Sequence, residues 1–143
     1  MNVHVKILFP VEGPSGADVE SLWAVKGDEG YTIDNIPFYA REVALSDVVA
    51  ARSDMDGALW FDGLVRASGH STVRLWFERA EDVSGVRSRL RALGCPSELS
   101  ELPRLVAVDI PPEVPYEKVK ILLEQGEADK VFEYEEACLG FLD

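Results

Sequence analysis

STVRLWFERAEDVSGVRSRLRALG, residues 71–94, changes its hydrophobic period halfway along. Thr72 to Glu78 reads as a strand, but past residue 80 Val83, Val86, Leu90 and Leu93 fall at intervals of three, four and three. That is the apolar stripe of a helix, with Arg87, Arg89 and Arg91 on the other face and Gly94 as its stop. A basic last turn suits the helix dipole. Downstream, Leu105–Ile110 is a strand ended by Pro111-Pro112. Pro115 then opens a second helix with Val119, Leu122 and Leu123 inward and Gly126 as C-cap, and Val131–Glu135 returns as a strand. The order strand, helix, one or two strands, helix, strand predicts a ferredoxin-like split βαβ lobe over residues 71–143.

Upstream of residue 80 the pattern is that of short strands. Val3, Val5, Ile7 and Phe9 alternate with polar or outward positions, which puts His4 on the polar side. Glu12 to Gly16 is a loop by composition. Glu20–Val25 and Tyr31–Ile33 form a hairpin across Lys26–Gly30, and Asp34-Asn35 turns into the proline-interrupted Ile36–Ala40, whose aromatics cover the core. Ser46–Ala51 and Ala58–Ala67 are strands about the turn Asp54-Met55-Asp56-Gly57. Ser68-Gly69-His70-Ser71 then reads as a type II′ hairpin turn into the strand at 71–78. The expectation is an α+β protein in which an antiparallel barrel-like lobe (1–78) shares that strand with the second lobe, making one folding unit.

A chain of 143 residues buries enough surface to fold without staples, so Cys95 and Cys138 are expected as reduced thiols. The net charge of −12 argues against nucleic acid, whose phosphates need clustered Lys and Arg. No stretch approaches the apolar run of a membrane span, and Met1–Pro10 lacks the pattern of a secretory signal, which predicts a cytoplasmic protein. Residues 1–65 hold eleven acids and four bases, 66–104 five acids and seven arginines, and 109–143 ten acids and three lysines. A basic protein surface is the natural complement of the two acidic ends, although solubility alone also accounts for them.

Three blocks within Leu22–Phe77 are shared with a known family: LWA with GDEGYTIDNIPFYA, LSDVVAA with DGALWF, and SGHSTVRL. On these the chain resembles the bacterial family catalogued as domain of unknown function 4265, more weakly through the following helix and last strand. The resemblance implies a bacterial, intracellular protein and brings no catalytic or binding role with it.

Two clusters are candidates for ligand or partner binding. The first is Ser68, His70, Ser71 and Thr72, where His70 could act as a base beside three hydroxyls. A triad would need an orienting carboxylate, for which Asp34, Asp47 and Asp62 are the nearest candidates in sequence; no G-x-S-x-G elbow is present, and a capped turn is the simpler reading. The second is Asp34, Asn35 and Tyr39, which has the composition of a small recognition pocket and equally of an Asx turn. Asp54-Met55-Asp56-Gly57 lacks the distal ligands of a calcium loop, the two histidines lack supporting cysteine pairs for zinc, and Gly13-Pro14-Ser15-Gly16 lacks the lysine of a phosphate loop. No metal or cofactor is therefore expected, and Arg87, Arg89 and Arg91 read as a solvated helix face. These readings lead to a non-enzymatic, acidic cytoplasmic binding protein, in its sharpest form an immunity-type partner that neutralises another protein. The alternative is a small enzyme or small-molecule sensor with a site around His70 and Asp34-Asn35.

Overall fold

Alternation of apolar and polar residues in the first half of the chain builds five strands: β1 (His4–Gly13), β2 (Gly16–Lys26), β3 (Tyr31–Ile33), β4 (Val48–Ser53) and β5 (Leu59–Arg66). The computed structural model describes residues 3–13 and 16–141. Neighbouring strands pair antiparallel, and β1 closes onto β5 in parallel, Ile7 opposite Leu59 and Leu8 opposite Trp60. The expected barrel-like lobe is thus a closed five-stranded barrel with one parallel seam. Closure leaves no free strand edge in the lobe. Ile7, Phe9, Leu22, Ala24, Ile33 and Val49 fill it, with Phe9 stacked on Phe61 at 4.8 Å between ring centres. The loop expected over residues 12–16 is shorter than its composition suggests, because Gly13 already pairs with Gly16; Pro14 and Ser15 lie outside the described residues.

The second half supplies β6 (Ser71–Phe77), α1 (Val83–Ala92) after a 3-10 turn at Ala80–Asp82, β7 (Ser97–Leu99), β8 (Leu105–Ile110), α2 (Tyr116–Ala128) and β9 (Phe132–Cys138). The strands form a second sheet in the order β7-β8-β6-β9 with every pairing antiparallel. Both helices bury their stripes on one face of it: Val83, Val86 and Leu90 from α1, and Val119, Leu122 and Leu123 from α2, meet Val73, Leu75, Phe77, Val106 and Val108. Gly94 ends α1 as expected, at φ 98°, with the Cys95 and Gly94 N–H groups donating to the Leu90 and Arg91 carbonyls.

Three expectations are corrected. The strand at 71–78 is not shared, because β8 and β9 occupy both edges of β6 and none remains for the barrel. For the same reason no β5–β6 hairpin forms; residues 67–70 cross from barrel to sheet. Gly126 is not the cap of α2 but lies inside it, where a Cβ would collide with the Phe132 ring; the helix runs on to Ala128 and Lys130 takes the positive φ of 61°.

The far face of the second sheet is covered by the connector between β3 and β4, residues 34–47. Ile36, Ala40, Val43 and Ala44 on it are buried. Glu20, itself buried on β2, accepts the backbone N–H groups of Phe38 (2.7 Å), Tyr39 (3.0 Å) and Ala40 (2.8 Å). Asp47, at the connector's other end, accepts the N–H of Ala44 (3.0 Å) and both the N–H and the hydroxyl of Ser68 (2.8 and 2.7 Å).

Two stability measurements check this account. Leu90→Ala should cost about 2–5 kcal/mol through the cavity it leaves, and exposed Arg89→Ala less than about 0.5 kcal/mol. Glu20→Ala strips three backbone donors of one acceptor and should cost about 2–4 kcal/mol in urea unfolding; a loss near zero would show that the connector is not held by this carboxylate.

Candidate functional site

The crossover at residues 67–71 carries the first cluster. Gly69 adopts φ 90°, and the His70 N–H donates to Ser68 Oγ (3.1 Å). Within the crossover, the His70 ring turns back onto the sheet, with Nδ1 at 2.9 and 3.1 Å from the two carboxylate oxygens of Asp109. At neutral pH a carboxylate only accepts, so Nδ1 carries the proton. Asp109 sits in β8 opposite Thr72 and is 1% exposed. Ser71 Oγ accepts the Gly140 N–H (2.9 Å), and Thr72 Oγ1 donates to the Val43 carbonyl (3.4 Å). His70 therefore does not project from a hairpin tip; its side chain is 19% exposed and bonded across the lobe junction.

The orienting carboxylate is thus Asp109, which the sequence reading missed, and not Asp34, Asp47 or Asp62. Its signal was visible: one acid inside the apolar run Leu105-Val106-Ala107-Val108-Asp109-Ile110. Asp47 bonds Ser68, Asp62 pairs with Arg52 (3.3 Å), and Asp34 accepts from His4 Nε2 (3.3 Å). Burial holds the Asp109 carboxyl above its usual range, opposed by the His70 hydrogen bond. Among the described residues no hydroxyl is bonded to His70 Nε2, because the single Ser68 hydroxyl proton is taken up between Asp47 Oδ1 (2.7 Å) and the Leu45 carbonyl (2.8 Å). Cys138 lines the same cleft as His70, of about 470 Å³, and burial pushes its thiol up to about 11, so it is no thiolate nucleophile at neutral pH. The cluster orients and clamps, but presents no activated nucleophile.

The second cluster divides. Asn35 Oδ1 accepts the Trp23 N–H (2.6 Å) and the Asp34 N–H donates to the Trp23 carbonyl (2.8 Å), so this pair fastens the connector to β2. Tyr39 instead lines a cleft of about 450 Å³ between connector and second sheet, with Arg41, Arg74, Trp76 and Glu135. Arg74 was not singled out by sequence reasoning, since one arginine in a strand looks like any surface charge. Its side chain is 8% exposed; Nη2 donates to the Ala40 carbonyl, and Nη1 lies 3.7 Å from Glu135 Oε1. Arg41 Nη2 stands 2.7 Å from the same oxygen as an ion pair. Arg74 Nε is buried with no hydrogen-bond partner among the described residues.

On the outer face of the barrel, Lys6, Leu8 and Pro10 of β1 pair with Trp23, Ser21 and Val19 of β2. Trp23 is 45% and Val19 46% exposed. Lys6 Nζ stands 5.0 Å over the Trp23 ring, and the His4 ring meets it edge-on at 6.3 Å. Trp60, beside Leu8, donates its indole N–H to Asp54 (2.9 Å), which also accepts the N–H groups of Asp56 and Ala58 in the expected turn.

Among the described residues no group of three or more His, Cys, Asp or Glu could hold a metal ion, and no helix is long and apolar enough to cross a membrane. Both cysteines are free thiols. The family model described as a domain of unknown function (DUF4265) matches residues 20–134. A crystal structure of a hypothetical protein from Neisseria gonorrhoeae is similar at a TM-score of 0.82 and 24% identity over 99% of each chain, a likeness that shows the fold alone. No curated protein matches.

The His70–Asp109 pair generates a pH prediction. Because the folded-state pKa of Asp109 is raised from 3.8, this carboxyl binds more protons in the folded than in the unfolded state above that value, and its own contribution to stability falls as pH rises from 3.8 through the raised value. His70 opposes this by favouring the carboxylate. His70→Ala should cost about 2–4 kcal/mol at pH 7, by leaving a buried charge uncompensated, and less as the pH approaches 4. Melting temperature against pH for both proteins checks it, and a pH-independent cost would refute the pairing.

Proposed function

The chain belongs to the family described as a domain of unknown function (DUF4265), and on that footing we propose, from its own surfaces, a non-enzymatic cytoplasmic protein that binds another protein with a basic surface. The observation that carries this is Trp23, nearly half exposed on the outer barrel face and held between Lys6 and His4. A large aromatic fixed before binding loses little freedom on docking, which is why Trp dominates interface energetics. Val19, Leu8, Pro10 and Trp60 extend the apolar area, and Asp34, Asp54 and Asp62 stand around it. With eleven acids against four bases in residues 1–65, the lobe that presents this face draws a cationic partner. An immunity-type role, neutralising that partner, is the sharpest form of the reading.

The enzyme or sensor alternative needs His70 and Asp34-Asn35 to act together, yet they bond Asp109 on one side and His4 and Trp23 on the other. We also read the second lobe as a ferredoxin-like split βαβ unit, supported by its order β7-β8-β6-β9 and by two helices on one face.

The test is copurification from a bacterial lysate at low salt, with wild-type protein against Trp23→Ala. A basic protein should be captured by the wild type and released by salt. Trp23→Ala should weaken its binding about 30-fold with an unchanged melting temperature. Capture that ignores Trp23, or a partner that is not basic, overturns the reading.

A further inference from the structure

We propose that the cleft over Arg74 binds a neutral planar ring of nucleobase size through its lactam edge, a carbonyl adjacent to an N–H. This goes beyond the docking face on the barrel and does not depend on it. The cleft, about 450 Å³, lies within the size range of small-molecule sites.

Its chemistry comes from one cross-strand pair. Arg74 on β6 and Glu135 on β9 are register partners, and their side chains stand on the face of the sheet away from the helices. Arg74 Nε–H is a donor more than nine-tenths buried and has no acceptor among the described residues. A guanidinium cannot relieve this by losing its proton, so an acceptor from outside the chain, a water or a ligand that displaces it, is what satisfies this donor, and because Nε is closed to solvent the ligand reaches it as the cleft lining shifts. Glu135 Oε1, 3.7 Å from Arg74 Nη1, carries an ion pair with Arg41 Nη2 at 2.7 Å but is not aligned with any hydrogen-bond donor among the described residues, so a ligand N–H would share this oxygen with Arg41. It is the adjacent acceptor for a ligand N–H. A donor and an acceptor side by side are the complement of a lactam edge. Trp76, two residues along β6 and 39% exposed, and Tyr39 from the connector supply aromatic surface for a flat ring. Charge selects against a carboxylate in this place: Arg41 and Arg74 are outnumbered on the lining by Glu12, Glu133 and Glu135.

The experiment is a titration of uniformly 15N-labelled protein, reading the Arg side-chain Nε–H and Trp indole N–H resonances. Uracil and hypoxanthine are the lactam probes, 1,3-dimethyluracil is the same ring without N–H donors, and benzoate is the planar anion. The lactam probes should shift the Arg74 Nε–H and Trp76 signals saturably at about millimolar concentration, the affinity open to so small a ligand. Dimethyluracil should bind at least tenfold more weakly. Arg74→Met removes the donor but endangers the fold. Trp76→Ala therefore serves as the second variant, with a tenfold loss expected at an unchanged melting temperature. Binding of benzoate alone, equal binding of uracil and its dimethyl form, or no shift with either lactam probe overturns the proposal.

Discussion

Three buried carboxylates, each met by donors from elsewhere in the chain, hold the barrel against the second sheet: Glu20, Asp47 and Asp109. Removing an ionised carboxyl from water costs several kcal/mol, a cost recovered only when its lone pairs find donors in good geometry. That requirement is positional. Glu20 admits one path for residues 38–40, Asp47 one placement of Ser68 against Ala44, and Asp109 one orientation of the His70 ring. The connector at 34–47, which has no regular secondary structure to order it, takes its shape from the first two.

From this constraint follows the asymmetry of the second sheet. Its helix-covered face is apolar and would be stable in many related packings, as hydrophobic cores generally are. The opposite face carries Thr72, Arg74 and Asp109, buried polar groups that tolerate one arrangement only. The connector covers this face, its Ala40 and Val43 carbonyls accepting from Arg74 Nη2 and Thr72 Oγ1. Where it leaves Arg74 Nε without an acceptor among the described residues, a cleft opens. The orphan group and the cavity therefore have a common origin in the seam between connector and sheet.

The outer barrel face obeys different rules. Its side chains are there because strand alternation that buries Ile7, Phe9, Leu22 and Ala24 must turn Lys6, Leu8, Ser21 and Trp23 outward. Closure into a barrel removes backbone edges as a route to association, so any contact made through this lobe falls to side chains. Trp23 is the largest of these.

Sequence by itself determined whatever depends on neighbours within one turn or one hairpin. The change of period at residue 80 located α1, the spacing of Val83, Val86 and Leu90 gave its buried face, Gly94 its end, and Asp54 a turn closed by its own carboxylate. The α+β class follows from these. Tertiary structure alone decided everything that turns on which strands meet. The same Gly69-His70 that fits a hairpin tip is a crossover, because β6 finds better partners in β8 and β9 than in β5. Gly126 resembles a cap until the Phe132 ring claims the space beside it. His70 acquires its carboxylate from 39 residues away, Glu20 its three donors from 18 to 20 away, and Arg74 its environment from β9 and the connector together. Local periodicity reports which side of an element is apolar. The partner of a buried charge is set by long-range pairing, in which hydrogen-bond geometry and desolvation choose among many acids that look alike along the chain.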